Sequence, residues 1–152
     1  MAVYGVDVSE ADGNVDWRQM KEKGIGFAML CAGCGSGTID LQFRKNAEAC
    51  NGLGIPCGAY WLSYAYTLEM AGREAAFCLE TVEEFDLSLP LCVKYDGGSV
   101  RYAESKGIKI TERDVTEIVE AFCRKAEETG YNAVPYVELD KRASAERRAF
   151  NL

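Results

Sequence analysis

Histidine is absent from the 152 residues of the chain. That excludes chemistry built on an imidazole: a Ser/His or Cys/His nucleophile pair, a histidine general base, a His-ligated metal. No apolar run approaches the ~18 residues of a membrane span, so no membrane partner is expected. The opening Met1-Ala2-Val3-Tyr4-Gly5-Val6-Asp7 has neither a basic n-region nor an apolar h-region, so no secretory signal is expected. Positive charge is also scarce: 17 Lys and Arg against 24 Asp and Glu leave a net charge of −7. Residues 51–100 carry most of the excess, with only Arg73 and Lys94 on the basic side. A chain without a basic face is a poor ligand for phosphate backbones, so no nucleic-acid partner is expected.

What is present is ordinary for a globular protein: 48% hydrophobic and 27% charged residues. The length suggests one domain, residues 1–152, able to bury a core without staples. The seven cysteines, at 31, 34, 50, 57, 78, 92 and 123, are odd in number. With no signal expected, they read as reduced thiols rather than as a secreted disulfide framework, and the chain as cytoplasmic when synthesised. Cys31-Ala-Gly-Cys34 is a lone CxxC. It could be a redox pair or half of a zinc site, but without a second CxxC it reads better as two small residues closing a buried strand. No cofactor and no metal are expected.

Strand and helix patterns alternate along the chain. Residues 2–8 read as a buried strand, Asp16–Lys23 as a short helix closed by Gly24, and Gly26–Cys31 as a second strand. Residues 39–53 read as a helix with Phe43, Ala47 and Cys50 on one face, and Ile55–Trp61 as a third strand. Thr67 caps a helix with Ala71, Ala75, Cys78 and Val82 in step. Leu89–Tyr95 is a fourth strand. Thr111-Glu-Arg-Asp114 is a capping box opening a helix with Val115, Ile118, Val119, Phe122 and Ala126 on one face. Ala133–Val137 is a fifth strand, and residues 139–150 are weakly helical. Five βα units predict a parallel sheet, open or curled into a barrel, with ligands at the carboxyl ends of the strands.

The residues past each strand therefore carry the functional reading. Asp7 either caps the next turn with Ser9 or serves as a catalytic carboxylate. Trp61, Ser63, Tyr64 and Tyr66 lie where a strand becomes a loop; the aromatics suit a platform for sugar rings. Gly33, Gly35 and Gly37 match neither a P-loop nor a dinucleotide fingerprint and read as a tight turn.

Several motifs in order are similar to the family 25 glycoside hydrolases. They are Gly5-Val6-Asp7-Val8-Ser9, Asp16-Trp17, Ala32-Gly33-x-Gly35-Ser36-Gly37-Thr38-x-Asp40-x-Gln42-Phe43-x-x-Asn46, Gly54-Ile55-Pro56-x-Gly58-x-Tyr60-Trp61-x-Ser63-Tyr64-Ala65-Tyr66, and Leu89-Pro90 through Ser99-Val100-Arg101-Tyr102-Ala103. This resemblance, to muramidases that cut the N-acetylmuramic acid–N-acetylglucosamine links of peptidoglycan, implies a TIM-like β/α barrel, here partial, with about five βα units and incomplete at its carboxyl end. It implies catalytic roles for Asp7 and for an Asp-x-Glu motif ending the fourth strand. The aligned positions here are Lys94 and Asp96. The family glutamate is the general acid, and its partner aspartate steadies the substrate's acetamido group as it attacks the anomeric carbon. Lys94 reverses that charge and would repel a developing oxazolinium cation. Asp96 could still be an acid, one methylene short, and a displacement near 1 Å can cost ~10²-fold. Cys31 and Cys34 stand where the family usually has Arg and Tyr, and Glu138 where it tends to have Asn.

Three functions compete: an active muramidase, a catalytically impaired relative that still binds peptidoglycan or a related glycan, and an interaction module that has lost the sugar. Lys94 favours the second and third. Release to the cell wall on lysis, as for phage endolysins, fits the first two. Because family members usually continue beyond the length of this chain, Ala133–Val137 is expected to be an open edge. A homodimer through that edge is the corresponding expectation.

Overall fold

The computed structural model describes residues 2–139. Its frame is five parallel strands in the order β1-β2-β4-β5-β6: β1 (Gly5–Val8), β2 (Phe27–Cys34), β4 (Cys57–Leu62), β5 (Leu91–Asp96) and β6 (Ala133–Glu138). A two-residue strand, β3 (Thr38–Ile39), folds back antiparallel on the end of β2. Helices α1 (Trp17–Glu22), α2 (Phe43–Leu53), α3 (Leu68–Val82), α4 (Gly97–Ser105) and α5 (Glu112–Glu128) fill the connections. Among the described residues the sheet is not closed: β1 and β6 are its two ends. No described helix is long and apolar enough to cross a membrane.

Side-chain alternation divides the sheet into two unlike faces. Ala28, Leu30, Ala32, Ala59, Trp61, Leu91, Val93 and Tyr95 join one core with Phe43, Ala47, Ala71, Ala75, Ile118 and Phe122 of the helices. That core explains the amphipathic spacing of α3 and α5. The alternate positions, Asp7, Met29, Tyr60, Cys92, Lys94 and Tyr136, share the other face, as the register Asp7↔Met29, Met29↔Gly58, Tyr60↔Cys92 and Lys94↔Tyr136 requires.

Four details differ from the sequence pattern. The first strand is an exposed end of the sheet rather than buried, with Val3 and Tyr4 in solvent. The second strand runs through the CxxC to Cys34, with a bulge between Cys31 and Gly33. The helix expected over residues 39–53 starts at Phe43, because Thr38–Ile39 pair with β2 and Asp40 Oδ1 accepts from Gln42 N–H in a turn. Helix α4 has no precedent in the periodicity, since Gly97-Gly98 masks its start. The weak helix over residues 139–150 lies, but for Leu139, outside the described residues.

The glycines after β2 have a steric cause. A Cβ on Gly33 would collide with the Thr38 carbonyl and the Trp61 ring, and Gly35 and Gly37 adopt positive φ. All seven cysteines are free, and those at 50, 57, 78, 92 and 123 are buried. Burial pushes the Cys31 thiol up to about 12 and the Cys34 thiol up as well, the opposite of what a reactive CxxC needs.

The loop leaving β4 is fastened from several sides. Ser63 N–H donates to the Lys94 carbonyl (2.8 Å), Ser99 Oγ to the Ser63 carbonyl (2.6 Å), and Tyr95 Oη to the Ala65 carbonyl (2.8 Å). Glu74 of α3, 2% exposed, accepts from Tyr64 N–H (2.9 Å). Burial, the largest influence, pushes the Glu74 carboxyl up. Its ionisation therefore opposes folding: the stability it contributes is full below the ordinary carboxyl value and is lost as pH rises through the raised one. Glu74→Gln keeps an acceptor for Tyr64 N–H and is expected to flatten that decline as pH rises above the ordinary carboxyl range. Glu74→Ala is expected to cost about 1–3 kcal/mol by stranding Tyr64 N–H. Urea unfolding of the three forms as pH is raised checks both.

Candidate functional site at the carboxyl ends of the strands

Asp7, on β1, is exposed, and its carboxylate bonds the Tyr60 hydroxyl of β4. It does not cap the next turn. Ser9 does that, with Asp12 answering back to Ser9 N–H. Tyr60 in turn bonds the Cys31 thiol, which bonds Asp40. Burial, then the Cys31 and Asp7 charges, push the Tyr60 phenol up, so it remains a neutral donor to Asp7. Asp40 is buried and accepts from Glu10 N–H (2.9 Å), while Glu10 accepts from Leu41 N–H (2.8 Å). The exit of β1 is thus clasped to the segment before α2.

β5 brings two site candidates to the same face. Lys94 is half-buried, with Nζ 5.9 Å from the centre of the Tyr136 ring. Asp96, two residues on, ends the strand and is the N-cap of α4. Its Oδ1 accepts from Gly98 N–H (2.9 Å) and Ser99 N–H (3.2 Å), and Ser99 Oγ accepts from Asp96 N–H (3.1 Å). This closed capping box fixes the orientation of the Asp96 carboxylate through one of its two oxygens. Across the register from Asp96, Glu138 Oε2 accepts from the Tyr136 hydroxyl (3.1 Å). The open face thus joins Asp7, Lys94 and Asp96, with Tyr60, Tyr136 and Glu138 among them.

The aromatic platform is not the one the sequence suggests. Trp61 is 0% exposed and lies on the helix-covered face, its Nε1–H donating to the Gly35 carbonyl (3.0 Å). It props the β2–β3 turn and cannot meet a sugar; alternation, which turns Tyr60 and Leu62 to the open side, turns it inward. Ser63 is also fully buried, its Oγ accepting from Ala65 N–H (3.1 Å), so it holds the loop rather than a ligand. Tyr64 and Tyr66 are half-buried and meet a partner the aromatic pattern did not single out: Tyr102 of α4. Its ring lies 5.3 Å from that of Tyr64 and 6.3 Å from that of Tyr66, centre to centre. Tyr102 is 38% exposed, and Lys106 Nζ sits 5.5 Å from its ring centre. Since α4 was not visible in the periodicity, neither was Tyr102's place beside the loop after β4.

Among the described residues, no three Cys, Asp or Glu side chains are gathered as a metal site would require. The chemistry available is that of carboxylates, one ammonium and phenols around an open, partly aromatic face.

Comparison with known proteins places this arrangement. The chain superposes on the modular autolysin LytC from Streptococcus pneumoniae with a TM-score of 0.77 and 23% identity, covering 93% of this chain and 33% of the autolysin. The same autolysin solved with a synthetic peptidoglycan ligand gives 0.75 and 25%, covering 88% and 32%. A family 25 glycosyl hydrolase from Bacillus anthracis gives 0.73 and 25%, covering 90% of this chain and 60% of that one. The chain therefore spans less than two thirds of the length of these solved relatives. No curated protein sequence matches it. The family model for glycosyl hydrolases of family 25 matches residues 6–146. With nearly the whole chain matched, in a parallel sheet that carries Asp7 on its first strand, this chain belongs to the glycosyl hydrolases of family 25.

Proposed function

We propose that the chain is a lysozyme-like domain that binds peptidoglycan or a related glycan and has lost most or all of the hydrolytic step. What supports this reading is on β5: the resemblance to the family aligns Lys94 with its stabilising carboxylate, and Asp96 Oδ1 is held by two backbone N–H groups at the start of α4. Hydrolysis of a glycosidic bond needs two cooperating carboxyls, or one with the substrate's own amide as nucleophile. Asp7 alone lacks the partner that either route needs here: a well-placed second acid, or a carboxylate that steadies the substrate's amide. An ammonium opposes the positive charge that develops at the sugar, and Asp96 is held by its helix cap on a shorter arm than the family glutamate. What the face retains is suited to binding: Asp7 held by Tyr60, and the cluster of Tyr64, Tyr66 and Tyr102. Such a domain works at the cell wall, reached from the cytoplasm on lysis.

Purified chain is expected to leave a suspension of cell walls turbid under conditions in which a family member with an intact Asp-x-Glu clears it. Lys94→Asp combined with Asp96→Glu is expected to restore partial clearing at most. The glutamate gives up the α4 cap, and Cys31 and Cys34 remain where the family has Arg and Tyr. Robust clearing by the unaltered chain would contradict the reading.

We also propose that the chain self-associates along β6. Val134 and Val137 are 40% and 45% exposed on that strand, and among the described residues only β5 pairs with it. Light scattering at high micromolar concentration is expected to show dimers. A strict monomer with a cooperative melt would contradict this.

A further inference from the structure

Glycan binding, as proposed above, does not use one cation of the open face that makes no ion pair among the described residues. Lys94 is half-buried, yet among the described residues it makes no ion pair; the ion pairs present all involve Arg44, Arg73 or Arg113. The three carboxylates of the same face each hold another group through at least one oxygen. Asp7 bonds the Tyr60 hydroxyl, Asp96 Oδ1 caps α4, and Glu138 Oε2 takes the Tyr136 hydroxyl. The register puts Leu62 on one side of Lys94 and Tyr136 on the other, with Nζ near the Tyr136 ring. An ammonium partly out of water between an aliphatic and an aromatic side chain gains from a direct anionic partner. It is also what an amphipathic acid needs: an apolar wall for C–H groups and a cation for a carboxylate.

We propose that Lys94 is the anion-reading residue of this open face, and that the ligand is a saccharide whose ring carries a free carboxylate. The inference rests on the glycan-binding reading above. Two sources supply that chemistry: a muramic acid whose lactyl group bears no peptide, and a uronic acid. In either case the carboxylate meets Nζ while the ring lies against Tyr136 and Leu62. The acids on the same face cancel long-range attraction, so selectivity comes from direct contact with Nζ rather than from the field of the domain.

Four tetrasaccharides test this by NMR titration of the full chain: chitotetraose, a peptide-free oligomer of alternating N-acetylglucosamine and N-acetylmuramic acid, the carboxyl methyl ester of that oligomer, and an oligomer of alternating glucuronic acid and N-acetylglucosamine. One charge-assisted contact corresponds to about ten-fold in Kd. At least one free acid is expected to bind about ten-fold or more tightly than chitotetraose. If it is the muramic oligomer, it must exceed its ester by the same factor. Which acid does so identifies the source. Lys94→Met is expected to erase the preference and Lys94→Arg to keep it, with unchanged melting curves showing that both variants fold. Equal binding of all four sugars, or a preference that survives Lys94→Met, overturns the proposal while leaving glycan binding intact. Failure of all four to bind overturns both readings.

Discussion

The two-sided character of the parallel sheet is the constraint on which the rest depends. Helices cover one face only, so every second residue of β2, β4 and β5 must be apolar and tightly packed, and the intervening residues are released from that demand. On β5 this gives Leu91, Val93 and Tyr95 to the core and Cys92, Lys94 and Asp96 to the open side. A lysine can replace a carboxylate at position 94 without disturbing the core, because no core contact depends on it. The same alternation rules out Trp61 as a sugar platform. The fold therefore tolerates change at the chemical face while punishing it on the packed one.

The junction after β4 and β5 translates that frame into a site. Ser63, Glu74, Tyr95 and Ser99 are buried, and their hydrogen bonds lock the loop that carries Tyr64 and Tyr66 to the start of α4. Tyr102, one turn into α4, is thereby held against both rings. Asp96 is part of the same junction, since it caps α4 and accepts from Ser99 N–H. Asp96, which the resemblance aligns with the family's acid, thus has a structural task here. This account differs from a simple loss of charge: Lys94 changes the electrostatics, and the cap changes what Asp96 is free to do.

Much of the frame was legible in the residues. The stripe Val115, Ile118, Val119, Phe122 and Ala126, opened by Thr111 and Asp114, became α5, and Thr67 capped α3 as its spacing implied. The strand ends were placed because apolar runs stop at charged or glycine residues. What was not legible depended on long-range geometry. β3 has only two residues and exists because it pairs with β2, which no local pattern shows. α4 begins Gly97-Gly98, poor helix formers, and is held by the Asp96 cap and the Ser99 bond to the Ser63 carbonyl. Trp61 looked like a ligand residue because loop-proximal aromatics usually are; which face it takes depends on register with β2 and β5.

The central claim is that the open face holds a glycan without cutting it. Both halves can be read in one sample: the chain is incubated with insoluble purified peptidoglycan, the suspension is spun, and the pellet is assayed for protein while the total is assayed for new reducing ends. The account predicts chain in the pellet, displaced by soluble glycan fragments, with no growth in reducing ends over time. Reducing ends that accumulate beyond one per chain, or a chain that stays wholly in the supernatant, would contradict it.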